Sequence, residues 1–132
     1  MTEEIFDIIR KRYVALTPEE KVRQHIVSVL INEKQIPQSY ISVEAQIKVG
    51  KLIKRYDILV YDHNFKPWML IECKSENVKI TPEVLNQTIR YNKTIDSPYI
   101  LLTNGTETYC FKKDATTKEI VKQENFPAFG LK

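Results

Sequence analysis

Arg55–Ser75, RYDILVYDHNFKPWMLIECKS, holds two runs of strand-forming residues around the polar turn HNFK, with charges inside both runs. If the chain reverses near His63–Lys66, residues whose numbers sum to about 129 face each other across an antiparallel pair. Asp57 then lies level with Glu72. Lys74 shares the face of Glu72, because alternate strand residues point the same way, while Ile71 and Cys73 point to the other side. One face is thus core and the other polar. Like charges directly opposite on adjacent strands are destabilising, and a buried lone carboxylate costs more still. A bound cation accounts for the pair: Mg²⁺, which takes oxygen ligands, leads, with Mn²⁺ as its substitute.

Outward from this hairpin, YISVEAQIKVG alternates Ile41, Val43, Ala45, Ile47 and Val49 with polar residues, as a half-buried strand does, and Gly50-Lys51 reads as a tight turn. The three strands form an antiparallel meander. Upstream, Thr17 and Pro18 in LTPEEKVRQHIVSVLINEK supply an N-cap and a first helical residue, predicting a helix over about 18–33 with Val22, Ile26, Val29 and Leu30 on its buried face. The first thirteen or so residues could form a short helix, but the firm helical signal begins at Leu16. Downstream, Thr81-Pro82 repeats the start signal and predicts a helix over about 82–95. SPYILLTNG is a buried strand ending in an Asn-Gly turn, and TETYCFKK with KEIVKQ makes a further hairpin. A helix between MLIECK and YILLT is a crossover joining parallel strands, so the expected fold is α/β, a central mixed sheet flanked by helices.

At 132 residues the chain has the size of a single domain, 1–132, too short for a motor as well. With 20 Lys plus Arg against 17 Asp plus Glu, the +3 balance is too mild to imply a polyanion partner, so any such site depends on local clustering. No apolar run approaches the length of a membrane span and the N-terminus is unlike a signal peptide, which points to the cytoplasm and away from a membrane. Cys73 and Cys110 lie in apolar strands without C-x-x-C spacing and are read as reduced core thiols.

The ordered set RYD, IECK and QTIRYN resembles the PD-(D/E)xK nuclease superfamily, and within it the N-terminal nuclease domain of type I restriction enzyme R subunits. TPEEKVRQ before this set and LLTNG after it extend the likeness over nearly the whole chain. The resemblance implies a restriction-endonuclease-like core that cuts DNA with Asp57 and Glu72 on the metal, the Cys73 carbonyl completing the shell, and Lys74 orienting or activating water. One departure is Tyr56, where the family often has proline. The chemistry agrees: phosphodiester hydrolysis needs a water nucleophile, neutralised phosphoryl charge and help for the leaving oxygen. Whether Lys74 is a base or an electrostatic clamp stays open, since cation and carboxylates push its charge in opposite directions.

Glu20 has two readings: three residues after Thr17 it fits a capping box, and the resemblance gives a first-helix Glu a place near the metal. Glu19 is set aside because it pairs with Arg23 at i+4. Gln87 and Tyr91, four apart, share one helix face and could meet a phosphate or Lys74. Lys51, Lys54 and Arg55, with Lys48, surround the first hairpin and Arg90 lies on the second helix, all candidates for DNA phosphates. Trp68 is read as core, and His25 and His63 are isolated. The expectation is a Mg²⁺-dependent deoxyribonuclease. Lacking a G-x-x-x-x-G-K-[ST] loop, it would stand alone, as a homodimer, or with restriction or helicase subunits. The rivals are a nucleic-acid-binding module that keeps the fold but does not cut, and a protein-interaction subunit.

Overall fold

The computed structural model describes residues 3–130. Its centre is a six-stranded sheet in the spatial order β3-β4-β5-β6-β7-β8, with strands at Ile41–Val49 (β3), Leu52–Tyr61 (β4), Pro67–Cys73 (β5), Tyr99–Thr103 (β6), Thr108–Lys113 (β7) and Ile120–Gln123 (β8). Only β5 and β6 run parallel, joined by helix α2 (Pro82–Asn92), so the sheet is mixed as the crossover requires. The β4–β5 ladder pairs Ile58 with Ile71 and Val60 with Met69, the register read from the HNFK turn.

Helix α1 (Pro18–Asn32) starts as its signals predict: the Glu20 amide donates to Thr17 Oγ1 at 3.1 Å and Pro18 takes a first-turn position. Its stripe Val22, Ile26, Val27 and Leu30 packs on Ile58, Val60, Met69, Ile71 and Cys73, forming the main core. Leu59 and Leu70, the alternate residues of the same strands, form a second core with Ala45, Tyr56 and Ile95 on the α2 side. Helix α2 likewise has Thr81 Oγ1 accepting from the Val84 amide, but ends at Asn92, short of the predicted Ile95. Trp68 is buried in the main core, with the Phe129 ring 5.2 Å away.

The N-terminal segment differs from expectation. It is a hairpin, β1 (Glu4–Asp7) and β2 (Arg12–Ala15), where a helix was predicted. The cause is Asp7, whose Oδ1 accepts from the amides of Ile9 (2.8 Å) and Arg10 (3.0 Å), giving the backbone a turn that competes with helix. Lys11 completes the reversal at φ 55°.

Candidate active site

The site forms where β3 and β4 change faces. On β3, Val43 belongs to the α1 core but Ala45 to the α2 core; on β4, Ile58 and Tyr56 divide in the same way. Regular strands would keep each of these pairs on one face. The ladder accordingly pairs Val43 with Ile58, skips Glu44 and Asp57, and resumes at Ala45 and Tyr56. Glu44 sits at φ 54°, a left-handed conformation that costs a non-glycine residue about 1–2 kcal/mol. Its carboxylate has ionic partners, lying 3.1 Å from Arg10 and 3.7 Å from Arg23.

The β4–β5 ladder stops at Ile58 and Ile71, one residue short of the expected Asp57–Glu72 pair, and Asp57 does not take the expected aim. Its Oδ2 accepts from the Cys73 amide at 2.7 Å, and its Oδ1 accepts from Arg23 Nη2 at 2.8 Å, on the α1 side. Glu72 turns to the α2 side, where its Oε2 accepts from Thr88 Oγ1 at 3.0 Å and lies 3.6 Å from Lys74 Nζ. The Lys74 amide donates to the Thr103 carbonyl of β6 at 2.8 Å, anchoring the lysine just past the strand end. Asp57 and Glu72 thus flank Cys73 from opposite sides and line separate clefts.

The Glu72 cleft, about 290 Å³, is lined by Glu72, Lys74, Gln87, Thr88 and Tyr91 among others, so α2 brings Gln87 and Tyr91 to the E-x-K strand. Tyr91 accepts at its hydroxyl from the Arg55 amide (3.3 Å), while Lys54 Nζ lies 4.6 Å from its ring centroid and donates to Thr94 Oγ1 at 2.9 Å. Tyr56, the departure from the family pattern, is buried with its ring 6.1 Å from that of Tyr91. Burial first, then Tyr91 and Glu72, push its phenol far above the ordinary range. Lys51, Arg55 and Arg90 are exposed.

The two acids of the α1 first turn have parted. Glu20 is buried, and its Oε1 accepts from Arg23 (2.7 Å) and Arg10 (2.7 Å), its Oε2 from Gln24 (3.0 Å). That carboxylate does not return to the Thr17 amide, which donates to the Ala15 carbonyl. The helix is capped by Thr17 alone, and the capping box is half formed. Glu19, set aside on sequence, faces the site. Burial and then the Asp57 carboxylate raise its carboxyl above the usual range, while Arg23 and Lys74 oppose the shift. The i+4 pair with Arg23 does exist, at 3.5 Å. Arg23 is the residue that leads Glu19 to Asp57, so the signal was there and pointed toward the site.

Arg23 organises the cluster. Its guanidinium is buried, and burial alone would disfavour its charge, but Asp57, Glu20 and Glu44 hold it above its ordinary value. Around Cys73 the thiol is driven upward by burial, then by Asp57, Glu19 and Glu72. Two strands and a helix thus place Asp57 with Glu19 on one side of Cys73 and Glu72 with Lys74 on the other.

Residues 18–127 match the family described as "Type I restriction enzyme R protein N terminus (HSDR_N)". The chain belongs to that family. Similar solved structures include the type IIG restriction endonuclease BpuSI, with TM-score 0.50 and 21% identity over 75% of this chain and 12% of that one. A DUF820 protein from Anabaena variabilis ATCC 29413, described as a candidate nuclease, gives TM-score 0.54 and 15% identity over 97% of this chain and 83% of that one. Comparison with curated proteins gives no match. Family and fold are therefore nuclease-like, with the restriction-endonuclease-like core expected from the sequence. No helix among the described residues is long and apolar enough to cross a membrane.

Proposed function

We propose that this chain, as one domain, hydrolyses DNA phosphodiester bonds with a divalent cation, Mg²⁺ or Mn²⁺. The observation that carries the reading is that Asp57, bonded to the Cys73 amide, and Glu72, the next residue on β5, stand on either side of one strand end, with Glu19 beside Asp57 and Lys74 3.6 Å from Glu72. Carboxylates and a carbonyl suit an oxygen-seeking cation. No three His, Cys, Asp or Glu side chains among the described residues are already gathered as a metal site. Asp57, Glu72 and the Cys73 carbonyl would hold the ion, with Glu19 reaching it through Asp57. When bound, it supplies neutralisation of charge on the phosphoryl oxygens.

The chain's own groups do the rest. Lys74, held 3.6 Å from Glu72, orients or activates the attacking water at the cleft. Gln87 donates from its amide to a phosphate oxygen or to that water, and Tyr91 fixes the adjoining β4 backbone through Arg55. Arg23 holds Asp57 in place and must share it with the cation. Lys51, Lys54, Arg55 and Arg90 serve the DNA backbone, and restriction or helicase subunits or a second copy are its partners.

One observation favours a second reading, a domain that binds DNA without cutting it: both Asp57 oxygens are already engaged, by Arg23 and by the Cys73 amide. Nuclease assays on linear, circular, single- and double-stranded DNA with Mg²⁺ or Mn²⁺, comparing wild type with Lys74→Ala, separate the two. Cleavage lost in the variant supports hydrolysis. Intact DNA with every metal and form, together with no calorimetric metal binding, leaves the silent module.

A further inference from the structure

Beyond the reach of α1, the β3–β4 ribbon continues as a two-stranded arm that packs on the second core with one side and leaves the other uncovered. Its register pairs Gln46 with Arg55 and Lys48 with Ile53, and paired residues point to the same side. These four therefore form one face, and all four are exposed, Ile53 at 63%. The face runs without interruption into the cleft lined by Gln46, Arg55, Asp57, Glu44 and Arg23. β3 is the edge strand, so nothing in the sheet lies beyond it. From Ile47 to Tyr56 the ribbon carries Lys48, Lys51, Lys54 and Arg55 and no carboxylate.

We infer that this face, Gln46, Lys48, Ile53 and Arg55 with Lys51 at its tip, is a duplex-DNA cradle that enters a groove and leads the strand to Asp57. The inference rests on the DNA reading above and assigns it a surface and a form of substrate. A two-stranded ribbon is about the width the major groove admits. Lys48, Lys51 and Arg55 flank the face as phosphate contacts, while Gln46 and Ile53, an amide and an aliphatic, are the types that meet base edges and the thymine methyl. Charge complementarity selects the occupant: on this face three cations stand beside Ile53, the arm's other exposed aliphatic, Leu52, lies on the opposite side, and the arm has no carboxylate of its own. Lys54, on the other side of the ribbon, is held by α2 and Thr94 and is not part of the face.

The test is fluorescence anisotropy of a labelled 20-base-pair duplex in EDTA, which prevents cleavage, over a series of salt concentrations. Lys48→Ala and Arg55→Ala each weaken binding and each lower the slope of log affinity against log salt by about 0.9, the loss of one phosphate contact. Ile53→Ser weakens binding several-fold with the slope unchanged. Lys122→Ala, exposed on β8 at the opposite edge of the sheet, is the control and binds as wild type. If the three ribbon variants match that control while wild type binds and cuts DNA, the cradle is refuted and the nuclease reading stands. Equal affinity for single-stranded DNA, or preference for acidic phospholipid vesicles over the duplex, overturns the cradle as well. Failure of wild type to bind any DNA in EDTA, together with no cleavage in Mg²⁺ or Mn²⁺, removes both.

Discussion

Replacing Arg23 by alanine tests whether one guanidinium holds the site together. Arg23 is 7% exposed, 2.7 Å from Glu20 and 2.8 Å from Asp57, with Glu19 at 3.5 Å. Removing it leaves Glu20 with Arg10 and Gln24 but leaves Asp57 only the Cys73 amide. Deleting one partner of a buried ion pair costs about 3–5 kcal/mol, and the surviving Glu20 contacts place this variant near 3 kcal/mol. For a chain of this size that lowers Tm by about 10 °C. Scanning calorimetry and urea unfolding in EDTA read the change, and Arg23→Lys, which keeps the charge but not the fork, loses less. Added Mg²⁺ or Mn²⁺ then raises the Tm of Arg23→Ala more than that of wild type, since a cation beside Asp57 takes over the missing charge. An alanine variant within about 0.5 kcal/mol of wild type would show that the cluster is a solvated surface network and refute the reasoning.

The remaining predictions concern single groups. Lys74→Ala leaves stability within about 0.5 kcal/mol, because its side chain is 37% exposed, yet lowers DNA cleavage by about 100-fold or more; equal rates would remove Lys74 from the chemistry. Asp7 is buried, and although burial opposes its charge, Arg10 and the amides of Arg10 and Ile9 hold its carboxyl below the usual value of 3.8. Its stabilising contribution is therefore complete above the unfolded value and lost as pH falls through the folded one. Urea unfolding between about pH 2 and pH 7 should show wild type losing more stability below about pH 4 than Asp7→Asn; parallel curves contradict the assignment. Burial pushes the Cys110 thiol to about 11 and Cys73 well up, so neither should alkylate at pH 8 before unfolding, as mass spectrometry of iodoacetamide adducts would show.

Much of the fold was legible because its signals are local. Thr17-Pro18 and Thr81-Pro82 start both helices through a cap and a fixed φ, and the polar HNFK turn sets a register that the Ile58–Ile71 pair obeys. The N-terminal hairpin was missed because the apolar spacing suits a helix, whereas the Asp7 side chain closes a turn. At the site, Gln87, Tyr91, Glu72 and Lys74 meet in one cleft because helix and strand periods each place two of them.

The sequence by itself determined the two helices, the strands from Ile41 onward, which of those strands neighbour each other, and the β4–β5 register as far as Ile58 and Ile71. Only the tertiary structure decided where Asp57 and Glu72 aim. Alternation assumes a regular strand, and β3 and β4 break it together where Glu44 takes φ 54°. That turn of the backbone sends Asp57 toward Arg23 on α1 while Glu72 stays with Thr88 on α2. The same packing chose between the two acids of the first turn. A helix separates Glu19 and Glu20 by about 100°, and the sheet beneath it exposes one to Asp57 while the arginines from β1–β2 and α1 bury the other.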